Sequence, residues 1–134
     1  MSDSRPSDCP FCRLPAGRIL EENGHAVAIA DAFPVSPGHT LVIPKRHSPG
    51  FFELTLDEVM AVYELLGRMK ARLDRDVKPA GYNIGINIRE AAGQTVMHSH
   101  VHLIPRYCGD VAEPRGGVRN VIPGEGAVFI GKGA

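Results

Sequence analysis

Val96-Met97-His98-Ser99-His100-Val101-His102-Leu103-Ile104-Pro105 is the stretch on which the reading of this chain turns. Half of the chain's six histidines fall here, at strict alternation with Ser99, Val101 and Leu103. On an extended strand, residues two apart project from one face about 6.5 Å from each other. The pattern therefore gathers His98, His100 and His102 on one surface and turns the apolar residues to the other. A helix would scatter them, and Pro105 marks where the strand stops. Imidazole changes its proton occupancy near neutrality and serves as base, nucleophile or metal ligand, so three on one face predict a site. One ion shared by all three fits poorly, because the first and third lie about 13 Å apart along a strand whereas ligand atoms converge to about 2 Å from a metal.

Around this stretch the 134 residues suffice for one domain with a modest core. Fifteen basic and fifteen acidic residues leave no net charge, which speaks against a nucleic-acid or membrane surface, so recognition of phosphate has to be local. The opening Met1-Ser2-Asp3-Ser4-Arg5-Pro6 is polar, and no apolar run approaches bilayer length; a cytoplasmic protein is expected. In that compartment the three cysteines, Cys9, Cys12 and Cys108, argue against a disulfide framework. Residues 1–8 and 124–134 read as loose tails of a single domain.

Ala26-Val27-Ala28-Ile29-Ala30 and Thr40-Leu41-Val42-Ile43 are runs of strand length, joined through the turn-rich Asp31 to Gly38. Thr55-Leu56-Asp57-Glu58 has the form of a capping box. Behind it Leu56, Val59, Met60, Tyr63, Leu66, Met69 and Leu73 recur at spacings of three and four, which predicts an amphipathic helix of about five turns with that stripe in the core. Tyr82, Ile84, Ile86 and Ile88 alternate with Asn83, Gly85, Asn87 and Arg89 as in a half-buried strand. Strands on both sides of one long helix predict an α+β meander, since a doubly wound parallel sheet needs more crossover helices.

The segment Gly93-Gln94-Thr95 to Ile104 resembles the signature of the histidine triad (HIT) family, His-x-His-x-His followed by apolar residues. Pro37-Gly38-His39-Thr40-Leu41-Val42-Ile43-Pro44-Lys45-Arg46-His47 is similar to a second block of that family, and Cys9-Pro10-Phe11-Cys12 to its opening. Ser99 departs from the usual apolar residue. The resemblance implies a single antiparallel sheet of about five strands with one long helix and a short N-terminal helix. It also implies a two-fold homodimer and attack on the α-phosphorus of a purine nucleoside 5'-phosphate derivative through a nucleotidyl-histidine. His100 would then be the nucleophile, with its other ring nitrogen held by an acceptor, and His102 a donor to a phosphate oxygen. Gln94 and Thr95 match positions near phosphate and leaving group, Asn87 a phosphate-side amide, and His39 a supporting residue. Asp31 matches an acceptor for both ribose hydroxyls, while Ile29, Leu41, Phe11 and Leu14 match the apolar walls around the base.

One Cys-x-x-Cys is half a zinc site. The resemblance supplies His47 and His98 as the other two ligands, which makes a closed, structural zinc. The segment Arg106 to Arg119 has no phosphate-loop pattern, and Arg115 or Arg119 reaching a polyphosphate tail would favour a dinucleoside polyphosphate hydrolase. A nucleotide-binding protein with incidental catalysis is the third reading.

Overall fold

The computed structural model describes residues 5–126. Two of the expected strands form as read: β2 (Ala26–Ala30) and β3 (Thr40–Pro44) pair antiparallel from Ala26↔Pro44 to Ala30↔Thr40. The turn between them depends on Gly38, whose φ is +87°; a Cβ there would stand 2.9 Å from Leu73 Cδ2 and 3.2 Å from Pro105 Cγ. Only glycine both adopts that backbone and clears those neighbours. A further strand, β1 (Ile19–Glu22), pairs with the outer edge of β2. Its Ile-Leu-Glu-Glu sequence is half-buried and carries no apolar run that would signal a strand. The short N-terminal helix is one turn of 3-10 helix, Ala16–Arg18.

The helix α1 runs Leu56–Asp76, with the Thr55 side chain accepting from the Glu58 amide and the Glu58 carboxylate accepting from the Thr55 amide. Its buried face differs from the expected stripe. Val62, Leu65, Met69 and Leu73 lie in the core, whereas Leu56, Met60 and Tyr63 are 81%, 69% and 78% exposed. Two apolar stripes share this helix, and spacings of three and four run through both, so periodicity alone did not separate them. Glu58 sits on the inner side, where Arg46 Nε and Nη2 donate to its two oxygens at 2.9 and 2.8 Å. That guanidinium holds the Glu58 carboxyl down at about 2. No helix of the described residues is long and apolar enough to cross a membrane.

After α1 the chain lays down β4 (Gly81–Gly85) at the far edge, then returns as β5 (Val101–Arg106) between β4 and β3. The five-stranded antiparallel order is therefore β1-β2-β3-β5-β4, which a simple meander would not give. Both late strands are shorter than their sequence patterns. The β4–β5 ladder ends at Gly85↔His102, so Asn87 and Ile88 belong to the following loop. His98 and His100 precede β5, because the Ser99 amide donates to Ser48 O at 2.7 Å, outside the β3 ladder. Ala26, Ala28, Val42, Val101 and Leu103 face α1; Val27, Ile29, Leu41 and Ile43 form the opposite layer with Phe11, Leu14 and Ile19. The Ser99 hydroxyl is buried without a partner, a local cost of about 1–3 kcal/mol that an apolar side chain would not carry.

Candidate functional site

On the sheet face away from α1, the imidazoles of His39 and His102 are fixed by a chain of hydrogen bonds that begins in the backbone. The Val35 amide donates to His39 Nδ1 at 3.1 Å, so the His39 proton is on Nε2. That nitrogen lies 3.0 Å from His102 Nδ1 and 3.3 Å from Asp31 Oδ2. His102 Nδ1 therefore accepts and Nε2 carries the proton. His102 Nε2 is buried and has no partner, an unspent donor of the sort a ligand oxygen satisfies. Burial pushes both His39 and His102 below the ordinary imidazole range, against the pull of Asp31, which keeps this arrangement neutral at pH 7.

His100 is fixed separately. Its Nδ1 donates to the His98 carbonyl at 2.8 Å, leaving the Nε2 lone pair as the reactive position. Its ring stands 5.2 Å from that of His102. Both open onto a cleft of about 460 Å³ whose apolar walls include Phe11, Ile29 and Leu41, and whose polar groups include Asp31, His39, Asn87 and Thr95. Ile29 and Leu41 are paired across β2 and β3, and Leu41 pairs with His102, so strand register carries the apolar wall up to the imidazole. Asp31 is at the rim, with one oxygen accepting from the Phe33 amide at 2.9 Å.

Two expected positions fall elsewhere. Gln94 does not line the cleft. Its amide is spent on backbone, accepting from the Arg89 N–H at 2.8 Å and donating to Pro49 O and Val96 O at 2.7 and 3.1 Å. It braces the loop through Arg89, a non-glycine residue at φ +72°. Leu14 packs behind the cleft in the layer of Ile29 and Ile43. Conversely Arg18, Phe33 and Val35 line the cleft without any signal in the sequence pattern, because loop residues are recruited by the tertiary course of the chain.

A second cluster lies at the other end of the row. Cys12 Sγ is 3.3 Å from His47 Nδ1 and 3.4 Å from His98 Nδ1, Cys9 Sγ is 3.4 Å from His98 Nδ1, and the two Nδ1 atoms are 3.3 Å apart. Tetrahedral zinc with its usual bond lengths sets such edges at about 3.3 to 3.6 Å. The wholly buried His98 donates Nε2–H to Pro44 O at 2.7 Å, which turns the Nδ1 lone pair toward the cluster. Burial and the neighbouring Cys9 hold the Cys12 thiol up at about 11, so a cation between the sulfurs is what makes thiolates tolerable there. Cys9, Cys12, His47 and His98 are placed to hold one zinc ion. Phe11, between the two cysteines, meets His98 and His100 edge-on at ring separations of 6.0 and 5.1 Å.

Comparison with known proteins identifies the family. The HIT domain model matches residues 15–109. An uncharacterized HIT-like protein of Mycoplasma genitalium is 41% identical over 111 residues, 80% of this chain and 79% of the relative. The asymmetrical bis(5'-nucleosyl)-tetraphosphatase of Schizosaccharomyces pombe is 33% identical over 109 residues, covering 81% of this chain and 60% of that enzyme. The crystal structure of a zinc-bound histidine triad family protein from Mycobacterium smegmatis superposes with a TM-score of 0.70 at 35% identity, over 79% of this chain and 80% of that one. Triad, sheet order and metal cluster thus coincide in one conclusion: this chain belongs to the HIT family.

Proposed function

We propose that this protein is a nucleotidyl hydrolase that cleaves purine nucleoside 5'-phosphoramidates and related esters at the α-phosphorus through a covalent intermediate on His100. The observation that carries this reading is the pairing in one cleft of His100, whose Nδ1–H is tied to the His98 carbonyl, with the unpartnered Nε2–H of His102. A neutral imidazole with its lone pair free is a good nucleophile, and its phosphoramidate is reactive, so one slow displacement becomes two easier ones. In the first step the bond from His100 Nε2 to phosphorus forms as the bond to the leaving group breaks, and the leaving group takes up one proton. His102 donates to the phosphate oxygen that gains charge. In the second step water adds to phosphorus, the N–P bond breaks, one proton is returned, and nucleoside 5'-monophosphate leaves.

Asp31 at the rim suits the ribose hydroxyls, since a carboxylate accepts more than one hydrogen bond; Asn87 and Thr95 suit the phosphate, and Phe11, Ile29 and Leu41 the base. Gln94 acts through the loop it braces. Zinc on the Cys-His cluster would cross-link the N-terminal segment to the stretch that runs through His98 and His100 into β5. A dinucleoside polyphosphate hydrolase is the second reading, favoured by the tetraphosphatase relative. Against it, neither Arg115 nor Arg119 lines the cleft, and Arg115 is held by Glu113.

The test is a panel of adenosine and guanosine 5'-phosphoramidates and dinucleoside polyphosphates at equal concentration, with release of nucleoside monophosphate as readout. The phosphoramidates should be turned over with the larger kcat/KM. No monophosphate from any of them overturns the reading, and a kcat/KM far under the ~10⁴ M⁻¹s⁻¹ floor of ordinary enzymes would leave a nucleotide-binding protein instead.

A further inference from the structure

The hydrogen-bond chain that fixes His39 and His102 starts on a loop whose large side chains stand in solvent. Phe33 and Val35 are 87% and 72% exposed, yet the Val35 amide has to stay 3.1 Å from His39 Nδ1 for the chain to hold. Two hydrogen bonds tie this loop to the end of β5. The Ser36 hydroxyl donates to the Pro105 carbonyl at 2.7 Å, and the Tyr107 hydroxyl donates to the Pro37 carbonyl at 2.6 Å. The Ser36 carbonyl in turn accepts from the His39 amide at 3.1 Å. Pro34 and Pro37 have fixed φ, and each restrains the residue before it. With Ser36 and Pro37 anchored, few torsions remain through which the Val35 amide could turn away. Pro105 lies on β5 with His102, and Tyr107 directly follows that strand. The segment that carries His102 therefore also holds the loop that orients its partner.

We propose that Ser36 and Tyr107 are positioning residues: they hold the Val35 amide on His39, and through His39 they keep the Nε2–H of His102 aimed into the cleft. The inference rests on the reading of the cleft as a site of nucleotidyl transfer given above. Neither hydroxyl belongs to the cleft wall, so both act at a distance, through backbone. Without the amide, His39 loses the donor on Nδ1 and its ring is held at the Nε2 end alone, by His102 and Asp31. Asp31 is also the carboxylate proposed for the ribose hydroxyls. A bound nucleotide draws that acceptor away, and the amide then carries the orientation of the pair. A His39 ring free to turn takes its bond to His102 off line, and a hydrogen bond weakens steeply as its angle closes. The donor that meets the phosphate oxygen is then misdirected. The loss is greatest in the transition state, where charge on that oxygen peaks, and small for binding, which draws on Phe11, Ile29, Leu41 and Asp31.

Ser36→Ala and Tyr107→Phe, singly and together, test this on the intact chain, with Tyr82→Phe as control. The control also removes a bonded hydroxyl, 2.7 Å from Asp74 on α1, but one that does not reach the loop. Amide hydrogen exchange and the nitrogen NMR resonance of His39 Nδ1 read the clamp without any substrate. In the double variant the Val35 amide should exchange about tenfold faster or more, while the amides of β2 and β3 keep their wild-type rates. The Nδ1 resonance should move toward that of an unbonded imidazole nitrogen, and Tyr82→Phe should change neither. With adenosine 5'-phosphoramidate, kcat should fall roughly tenfold in the double variant, the size of a small misalignment, with KM within about twofold of wild type. A folded double variant that keeps the Val35 rate and the His39 resonance overturns the clamp, and so does a clamp that opens with kcat unchanged. If the double variant does not fold, Tyr107→Phe, which removes a single oxygen, decides by the same readouts. If the wild type turns over no phosphoramidate, the reading of the cleft falls, and exchange and resonance still decide whether the two hydroxyls hold the histidine pair.

Discussion

Replacing His100 by asparagine is expected to lower turnover by roughly three orders of magnitude or more, as for loss of a covalent catalyst, with nucleotide affinity nearly unchanged. That factor corresponds to about 4 kcal/mol of lost transition-state stabilisation. Asparagine keeps an amide that can donate to the His98 carbonyl, and it leaves Phe11, Ile29, Leu41 and Asp31 where they are, so the binding surface persists while the nucleophilic nitrogen is gone. Wild-type protein quenched in neutral denaturant during turnover should carry one nucleotidyl mass, located by peptide mapping on His100. Comparable turnover in the variant, or a nucleotidyl group on another residue, would remove His100 from its role.

The second large effect concerns the metal. Protein purified without chelator should contain about one zinc per chain, and Cys12→Ser should lose it with a fall in Tm of about 10 °C or more, because structural zinc binding is coupled to folding. The size follows from position. His98 is wholly buried and is bonded to Pro44 at the end of β3, so losing the cation leaves one thiol, one hydroxyl and two imidazoles crowded around an unfilled centre beside His100. Zinc-free protein with an unchanged melting curve would show instead a pair of buried thiols with no metal role.

The sequence made the chemistry more legible than the architecture. Alternation of His98, His100 and His102 is a local signal and survives in the row that ends on β5, although only His102 belongs to a ladder. Cys9 and Cys12 were legible from their spacing as half a metal site, whereas His47 and His98 came only from the resemblance to the HIT family. By contrast the buried face of α1 was not, because Leu56, Met60 and Tyr63 are as apolar as Val62, Leu65 and Met69, and only packing decides which stripe meets the sheet. The position of β5 between β3 and β4 is a long-range choice with no local signature. Gln94 reads as a polar residue beside a phosphate site, and nothing in one sequence distinguishes a side chain that touches substrate from one spent on three backbone groups. His39 and His102 owe their tautomers to a single amide, that of Val35, which no residue type announces.

Phe11 sits between two metal ligands in the chain and between two histidines in space. Its ring is a wall of the cleft, and its backbone is held only as firmly as Cys9 and Cys12 on either side. If the cleft binds nucleotide as proposed, zinc and nucleotide are expected to be linked ligands: whatever factor the metal contributes to nucleotide affinity, the nucleotide must return to metal affinity, since such coupling is reciprocal. Nucleoside monophosphate should slow the loss of zinc to a chelator, and an equal rate with and without it would mean the Phe11 wall stands unaided. Where the coupling holds, the cleft is read out by two concentrations at once, and scarcity of the metal is felt by the protein as scarcity of its nucleotide.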